Sequence, residues 1–378
     1  RRSSQSLTSP SSSKEVRTHH PKIMIDQPTQ IRSGEELDKN QLAAYLKKEL
    51  GSQTEVVAVK QFPSGFSNLT YSVQTQDQEY VLRRPPFGAN IKSAHDMGRE
   101  YRVLKALEGV YDKIPQPVLY CENELVIGAP FYLMERVQGV ILRNQLPQGI
   151  TLEENDWQQL SEAAIDQLAA LHQIDIQQTG LETLGKPDGY VERQVNGWIK
   201  RYRKAETDSI EAMDFLAEWL PENQPSPSPT AFIHNDYKYD NLVLNPEKIT
   251  DILAVLDWEM ATVGDPFMDL GTTLGYWAEP NDPKPLRQFG LTAQPGNLNR
   301  TQLWERYIQQ TGLRTEHSVF YFAFTSFKIG VIAQQIYARF KQGFTKDPRF
   351  GGLIYVVKAC AENGQQAVQQ NKISNLYT

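Results

Sequence analysis

The segment His234-Asn235-Asp236-Tyr237-Lys238-Tyr239-Asp240-Asn241 and the later Leu256-Asp257-Trp258-Glu259 place a carboxylate, an amide and a second carboxylate where they could serve one reaction. Transfer of a phosphoryl group from a nucleotide asks little covalent chemistry of a protein. It needs a carboxylate to orient the attacking hydroxyl, and hard oxygen ligands for the magnesium ions on the phosphates. Asp236 suits the first role, and Asn241 and Asp257 suit the second. Lys238 could reach the charge that builds on the transferred group, although a solvent-facing lysine reads the same in sequence. His234 fits bracing by hydrogen bonds better than proton transfer. Glu259 could assist a metal or serve structure alone.

Asp and Asn also populate ordinary turns, so the surrounding elements decide. Ala231-Phe232-Ile233 is an apolar run entering the loop, and Leu242-Val243-Leu244 leaves it. Ile252-Leu253-Ala254-Val255-Leu256 then delivers Asp257 at a strand end. With Asn245-Pro246 as the turn, these runs predict a hairpin that carries Asn241 and Asp257 toward one metal site.

His-Asn-Asp-Tyr-Lys-Tyr-Asp-Asn with the later Asp-Trp-Glu resembles the aminoglycoside phosphotransferase and choline kinase-like group of small-molecule kinases. The resemblance runs from about Glu55 to the C-terminal helices. Phe66-Ser67-Asn68-Leu69-Thr70-Tyr71, Tyr80-Val81-Leu82-Arg83-Arg84-Pro85-Pro86 and Tyr190-Val191-Glu192-Arg193-Gln194 make it look closest to kinase domains associated with acyl-CoA dehydrogenases. Some members of that subgroup phosphorylate hydroxyacyl-CoA compounds. The resemblance implies an α+β, protein-kinase-like two-lobed fold, with a small strand-rich N-terminal lobe (31–137) and a larger, mainly helical C-terminal lobe (138–378). ATP would sit in the cleft between them with Mg2+, and GTP stays open as donor.

The coarse pattern agrees with that order. Leu37 to Leu50 reads as a helix, with Ser33 and Glu36 as a capping pair. Strands are expected at Val56 to Phe62, Leu69 to Gln74, Tyr80 to Arg83, Val118 to Cys121 and Phe131 to Met134, with a helix from about Ser93 to Leu107. From Leu152 onward helical spacing dominates. Asp265 before Pro266 has the order of a helix cap and first helical residue, and Asp269 in the same turn reads as structural.

On the phosphate side, Phe62 to Asn68 links two strands with small and polar residues. Gly65 allows close backbone approach, and amides near Ser67 and Asn68 could cradle an anion; an ordinary hairpin turn would look the same. Kinase-like folds carry a Lys on the third strand, paired with a Glu on the next helix. Here Arg83 takes the matching position, Arg84 is the alternative, and Glu100 is the matching anion. Arginine keeps the charge but grips phosphate as a fork. Glu135 and Val137, at the exit of the last small-lobe strand, match the hinge whose backbone binds the adenine edge.

Composition narrows the partners. With 39 Lys and Arg against 45 Asp and Glu, the net charge is −6, which argues against a nucleic-acid partner. Cys121 and Cys360 show neither metal-ligand spacing nor a disulfide framework, pointing to a reducing cytoplasm. No segment reads as a membrane span: Phe320 to Phe340 is interrupted by Lys328, Gln334, Gln335 and Arg339 and is expected as a buried helix. Residues 1–30, Ser-rich at the start, read as a disordered tail. No repeats or heptads specify an oligomer. Arg193, Lys200, Arg201, Arg203 and Lys204 form either a solvated helix face or a grip on an anionic acceptor. The acceptor is thus expected to be a small molecule with a hydroxyl, a hydroxyacyl-CoA or similar anion before an aminoglycoside. The missing third-strand Lys also motivates a weakly active, nucleotide-binding pseudokinase.

Overall fold

The computed structural model describes residues 26–63, 68–88, 96–345 and 347–377. Gly65 and Ser67, residues 1–25 of the expected tail and the expected helix start at Ser93 lie outside them.

Helix α1 (Lys39–Leu50) opens the chain, and its cap is Asp38, which accepts from the amides of Asn40 and Gln41. The expected capping pair at Ser33 and Glu36 is therefore displaced: Asp38 sits directly before the first helical turn, where its carboxylate meets free amides. Strands β1 (Val56–Gln61), β2 (Leu69–Thr75) and β3 (Glu79–Arg84) follow, then α2 (Met97–Leu107), β4 (Pro117–Cys121) and β5 (Phe131–Glu135). They form one antiparallel sheet in the order β1-β2-β3-β5-β4. Thr29, within the stretch read as tail, pairs with Gln61 at the sheet edge.

The two faces of β3 have different fates. Tyr80 and Leu82 join Tyr71, Val73, Phe131 and Leu133 in a core covered by Leu42 and Leu46 of α1. Val81 and Arg83, the alternate residues, face the cleft. A period of two along a strand enforces this split, so one register decides which arginine can reach a ligand. That register is fixed by the pairs Val81↔Met134 and Arg83↔Tyr132.

The remainder is mainly helical: α3 (Glu154–His172), α4 (Tyr190–Ala205) and α5 (Glu211–Glu222) precede β6 (Ala231–Ile233), β7 (Leu242–Asn245), β8 (Lys248–Val255) and β9 (Thr262–Gly264). Then come α6 (Pro266–Gly275), α7 (Lys284–Arg287), α8 (Arg300–Thr311), α9 (Ser318–Lys341) and α10 (Leu353–Gln370). The expected hairpin is present as β7 and β8. A second pairing, β6 with β9, was not anticipated and closes the loop between them at its base. The segment after β5 docks on the hairpin, where Val140 and Leu244 exchange backbone hydrogen bonds of 2.9 and 2.8 Å. Gly139 permits this approach, since a Cβ there would lie 2.5 Å from the Leu244 carbonyl oxygen.

Helix α9 is, by length and composition alone, long and apolar enough to cross a membrane, contrary to the sequence expectation. Its apolar residues, among them Phe320, Tyr321, Phe322 and Phe327, are buried inside the protein, as the sequence reading of this stretch expected. It is the central helix of the larger lobe, packed on α6 and α10.

Candidate active site

Between the sheet and the β7–β8 hairpin lies a cavity of about 570 Å³, whose wall includes Arg83, Glu100, Glu135, Val137, Asp236, Lys238, Asn241 and Asp257. The volume is in the range of small-molecule sites. Asn68, expected on the phosphate side, is absent from that wall. It is buried, and its side-chain amide donates to Glu259 Oε2 at 2.8 Å.

The hairpin performs the juxtaposition expected of it. Leu242 pairs with Val255, and the Leu256 amide donates to the Asn241 carbonyl at 2.8 Å. Asp257 then leaves the strand in the left-handed region, with φ 66. That conformation is costly for a residue other than glycine. It turns the carboxylate back toward the cleft in place of continuing the strand.

Asp236 is held at both carboxylate oxygens. Asn241 Nδ2 donates to its Oδ2 at 3.0 Å and to its backbone carbonyl at 2.8 Å, while Lys238 Nζ lies 3.1 Å from Oδ1. Burial works against the Lys238 charge, but Asp236 and Asp240 outweigh it and push the ammonium pKa above its usual value. Asp240 lines the same cavity, and burial raises its carboxyl above the usual range against the pull of Lys238.

The loop below these residues is fixed by backbone capture. Asp269 is fully buried on the first turn of α6 and accepts from the amides of His234 (2.6 Å) and Asn235 (2.7 Å) and from His172 Nε2 (3.0 Å). Burial alone would raise its carboxyl; hydrogen bonding and charge from His172, with His234, outweigh it and hold the pKa below the usual carboxylate range. The Asp236 amide donates to His234 Nδ1 at 3.2 Å, so the other ring nitrogen is the donor to the Leu256 carbonyl at 2.9 Å. His234 therefore braces the Asp236 loop against the strand end before Asp257. Asn235, also at φ 66, accepts from Tyr190 and donates to the Met260 carbonyl.

On the opposite wall Arg83 is buried and forms a close ion pair with Glu100 of α2. It also reaches Asp257 Oδ1 at 3.2 Å and Glu259 Oε2 at 3.8 Å. Burial opposes its charge; Glu100, Asp257 and Glu259 overcome that and raise its pKa. Its Nε is buried without a partner among the described residues. Arg84, the alternative, points to the other face, where it donates to the Pro85 and Ile127 carbonyls and stacks on Phe87 at 3.7 Å. Glu135 spends its amide on the Gln116 carbonyl, leaving its own carbonyl as the group it can offer along this edge.

The basic residues of α4 do not line the cavity. Arg193 binds the Lys186 and Asp188 carbonyls, Arg203 pairs with Asp214, and Arg201 lies over Trp198. Three of the five charges in the anionic-grip reading are thus engaged by local partners.

Sequence reasoning missed His172, Asp240 and the loop-capturing role of Asp269. For Asp269 the Asp265-Pro266 start placed it in a first helical turn, but nothing local told which amides that turn would face. His172 carried no signal, since its partner comes from α6.

Residues 58–306 match the model of a family described as "Phosphotransferase enzyme family". Acyl-CoA dehydrogenase family member 11 of Homo sapiens is 34% identical over 336 residues, covering 87% of this chain and 43% of that protein. The chain likewise spans less than half the length of mouse acyl-CoA dehydrogenase family member 10. The crystal structure of a candidate aminoglycoside phosphotransferase from Ralstonia eutropha superposes with TM-score 0.75 at 32% identity, covering 89% of this chain and 99% of that one. Choline kinase from Cryptosporidium parvum shares the fold, with TM-score 0.56 at 15% identity over 88% of this chain and 99% of its own.

Proposed function

This chain belongs to the phosphotransferase enzyme family and is a small-molecule phosphotransferase, and on that premise we propose that it transfers the γ-phosphoryl group of ATP to a hydroxyl of an acyl or otherwise anionic metabolite. The observation that carries the reading is the convergence of Asp236, Lys238, Asn241, Asp257 and the Arg83–Glu100 pair on one cavity wall.

In this reading Asp236 orients the acceptor hydroxyl and takes its proton late in the transfer. Its fixed hydrogen bonds to Asn241 and Lys238 set the carboxylate before substrate arrives, which lowers the cost of alignment. Lys238 meets negative charge developing on the transferred group. Arg83 contacts phosphate oxygens with the face that now touches Asp257. Glu135, through its carbonyl, and Val137 border the adenine.

Asn241 and Asp257 would hold magnesium. Asn241 spends its amide nitrogen on Asp236, which leaves Oδ1 as the ligand atom. Among the described residues no group of three His, Cys, Asp or Glu forms a metal cage. A sparse oxygen set suits magnesium, which keeps waters and phosphate oxygens in its shell. When bound, the ion neutralises phosphate charge and favours in-line displacement.

The arginine at the third-strand position keeps the ion pair with the helix glutamate, which weakens the motive for a pseudokinase. The names of the longer relatives, acyl-CoA dehydrogenase family members, support an acyl-CoA type of acceptor. A transfer assay with labelled ATP across hydroxyacyl-CoAs, aminoglycosides, choline and sugars tests the reading. Magnesium-dependent labelling of a hydroxyacyl-CoA supports it; labelling confined to aminoglycosides overturns the acceptor class.

A further inference from the structure

The stretch ahead of α1 turns back onto the cavity. Thr29 pairs with Gln61, the last residue of β1, through backbone hydrogen bonds of 2.7 and 3.0 Å. Just before it, the Asp26 amide donates to the Gly139 carbonyl at 3.2 Å, immediately past the hinge. Arg136 fastens the same crossing: its guanidinium donates to the Asp26 carbonyl, pairs with Glu79 of β3 and lies over the Phe62 ring at 5.3 Å. The backbone therefore runs from the sheet edge to the hinge and places Asp26 in the cavity wall with Arg136, Val137 and Gly139. Asp26 precedes the residues that match the family model, 58–306.

The Asp26 side chain is only 20% exposed, and its Oδ1 lies 2.8 Å from Nη1 of Arg143, which lines the cavity as well. A carboxylate is an odd occupant of a cavity that must admit a triphosphate, because like charges repel. Position along the cleft resolves this. Arg83 beside Asp257 and Lys238 beside Asp236 mark the phosphate end, whereas Asp26 is tied to the hinge, where the adenine edge is placed. In ATP the ribose joins the base to the phosphates, so the group next to the adenine is a pair of neutral hydroxyls. A carboxylate accepts strongly from such donors, and Arg143 offsets part of its charge.

We infer that Asp26 binds the ribose hydroxyls of the nucleotide, held in place by Arg143, so that a segment ahead of the residues matched to the family completes the donor site. The inference rests on the kinase reading and deepens it by naming the side chain that selects a ribonucleotide. A carboxylate set against vicinal hydroxyls is left without donors when a deoxynucleotide binds, so selectivity is read as a difference between two donors. Arg143 is a positioning residue and acts through Asp26.

The test titrates ATP and dideoxy-ATP, each with magnesium, into wild type, Asp26→Ala, Asp26→Asn and Arg143→Ala, alongside thermal unfolding. Wild type should bind ATP about ten- to hundred-fold more tightly than dideoxy-ATP, the value of one charge-assisted hydrogen bond. In Asp26→Ala the Kd for ATP should rise to that of dideoxy-ATP, whose own Kd stays at the wild-type value. Asp26→Asn should recover part of the ratio, and Arg143→Ala should lower it part of the way. The Asp26 variants should unfold close to the wild-type temperature, because main-chain contacts hold the crossing and the ion pair is partly exposed. A wild-type ratio near one, equal weakening of both nucleotides in Asp26→Ala, or early unfolding of both Asp26 variants overturns the inference and assigns Asp26 to structure, leaving the kinase reading intact. An unchanged ratio in Arg143→Ala overturns the positioning role. Failure of wild type to bind either nucleotide takes down both the inference and the kinase reading.

Discussion

Arg83 on β3 approaches Asp257 at 3.2 Å across a cleft that separates them by 174 positions in sequence. The same guanidinium is paired with Glu100. One side chain therefore links the sheet, α2 and the end of the hairpin, and any phosphate entering the cleft must compete with Asp257 for it.

Replacing Arg83 by Ala strands the buried Glu100 carboxylate without its partner. Loss of one member of a buried pair costs about 3–5 kcal/mol, so Arg83→Ala should lower the unfolding midpoint sharply in urea and abolish nucleotide affinity. Arg83→Lys keeps the charge and should fold near wild-type stability with weakened ATP binding. Urea titration and nucleotide titration separate these effects. An Arg83→Ala protein as stable as wild type would show that the pair does not hold the lobe.

Arg84 provides the control. Its guanidinium serves the Pro85 and Ile127 carbonyls on the other face of the sheet. Arg84→Ala should leave two buried carbonyls unsatisfied, costing about 1–3 kcal/mol, while KM for ATP stays at the wild-type value. A selective rise in that KM would place Arg84 in the nucleotide site instead.

Asp269 gives a pH signature. Its folded pKa is lowered, so its contribution is fully present above the unfolded carboxylate value of about 3.9 and is lost as pH falls through the folded pKa. Asp269→Asn puts an amide group against two backbone donors and should cost about 1–3 kcal/mol near neutrality. The gap in Tm between wild type and variant should be constant from pH 7 to about pH 4 and close below it. A gap that widens on acidification would contradict the assignment.

Metal binding should respond to Asp257. Asp257→Asn removes one unit of charge from the proposed magnesium site, and the magnesium concentration for half-maximal transfer should rise by about tenfold, equivalent to about 1.4 kcal/mol. Activity measured across a magnesium series at saturating ATP checks this, and an unchanged midpoint would move the metal elsewhere.

Much of this arrangement could be read along the chain because it is built from local patterns. Alternation on β3 separated Arg83 from Arg84, and two apolar runs about a turn forecast the hairpin that joins Asn241 to Asp257. What escaped were relations set by packing between distant elements. The β6–β9 pairing depends on a three-residue strand with no periodicity of its own. The engagement of Asn68 by Glu259 spans 191 positions, so it could not be told from a phosphate-loop amide. The α1 cap went to Asp38 over Ser33 because two acceptable caps lay close together and the helix start chose between them. Lys328 looked like an interruption of an apolar helix, and only the packing of α9 against α6 and α4 brought its buried ammonium to Thr272 Oγ1 and the Trp198 ring.

The central claim is that Asp236 performs the transfer step, and Asp236→Ala tests it most directly. Single-turnover transfer of labelled phosphate from ATP to the best acceptor should fall about a hundred- to ten-thousand-fold, while nucleotide binding measured by titration stays close to wild type. Transfer at the wild-type rate in that variant would contradict the account.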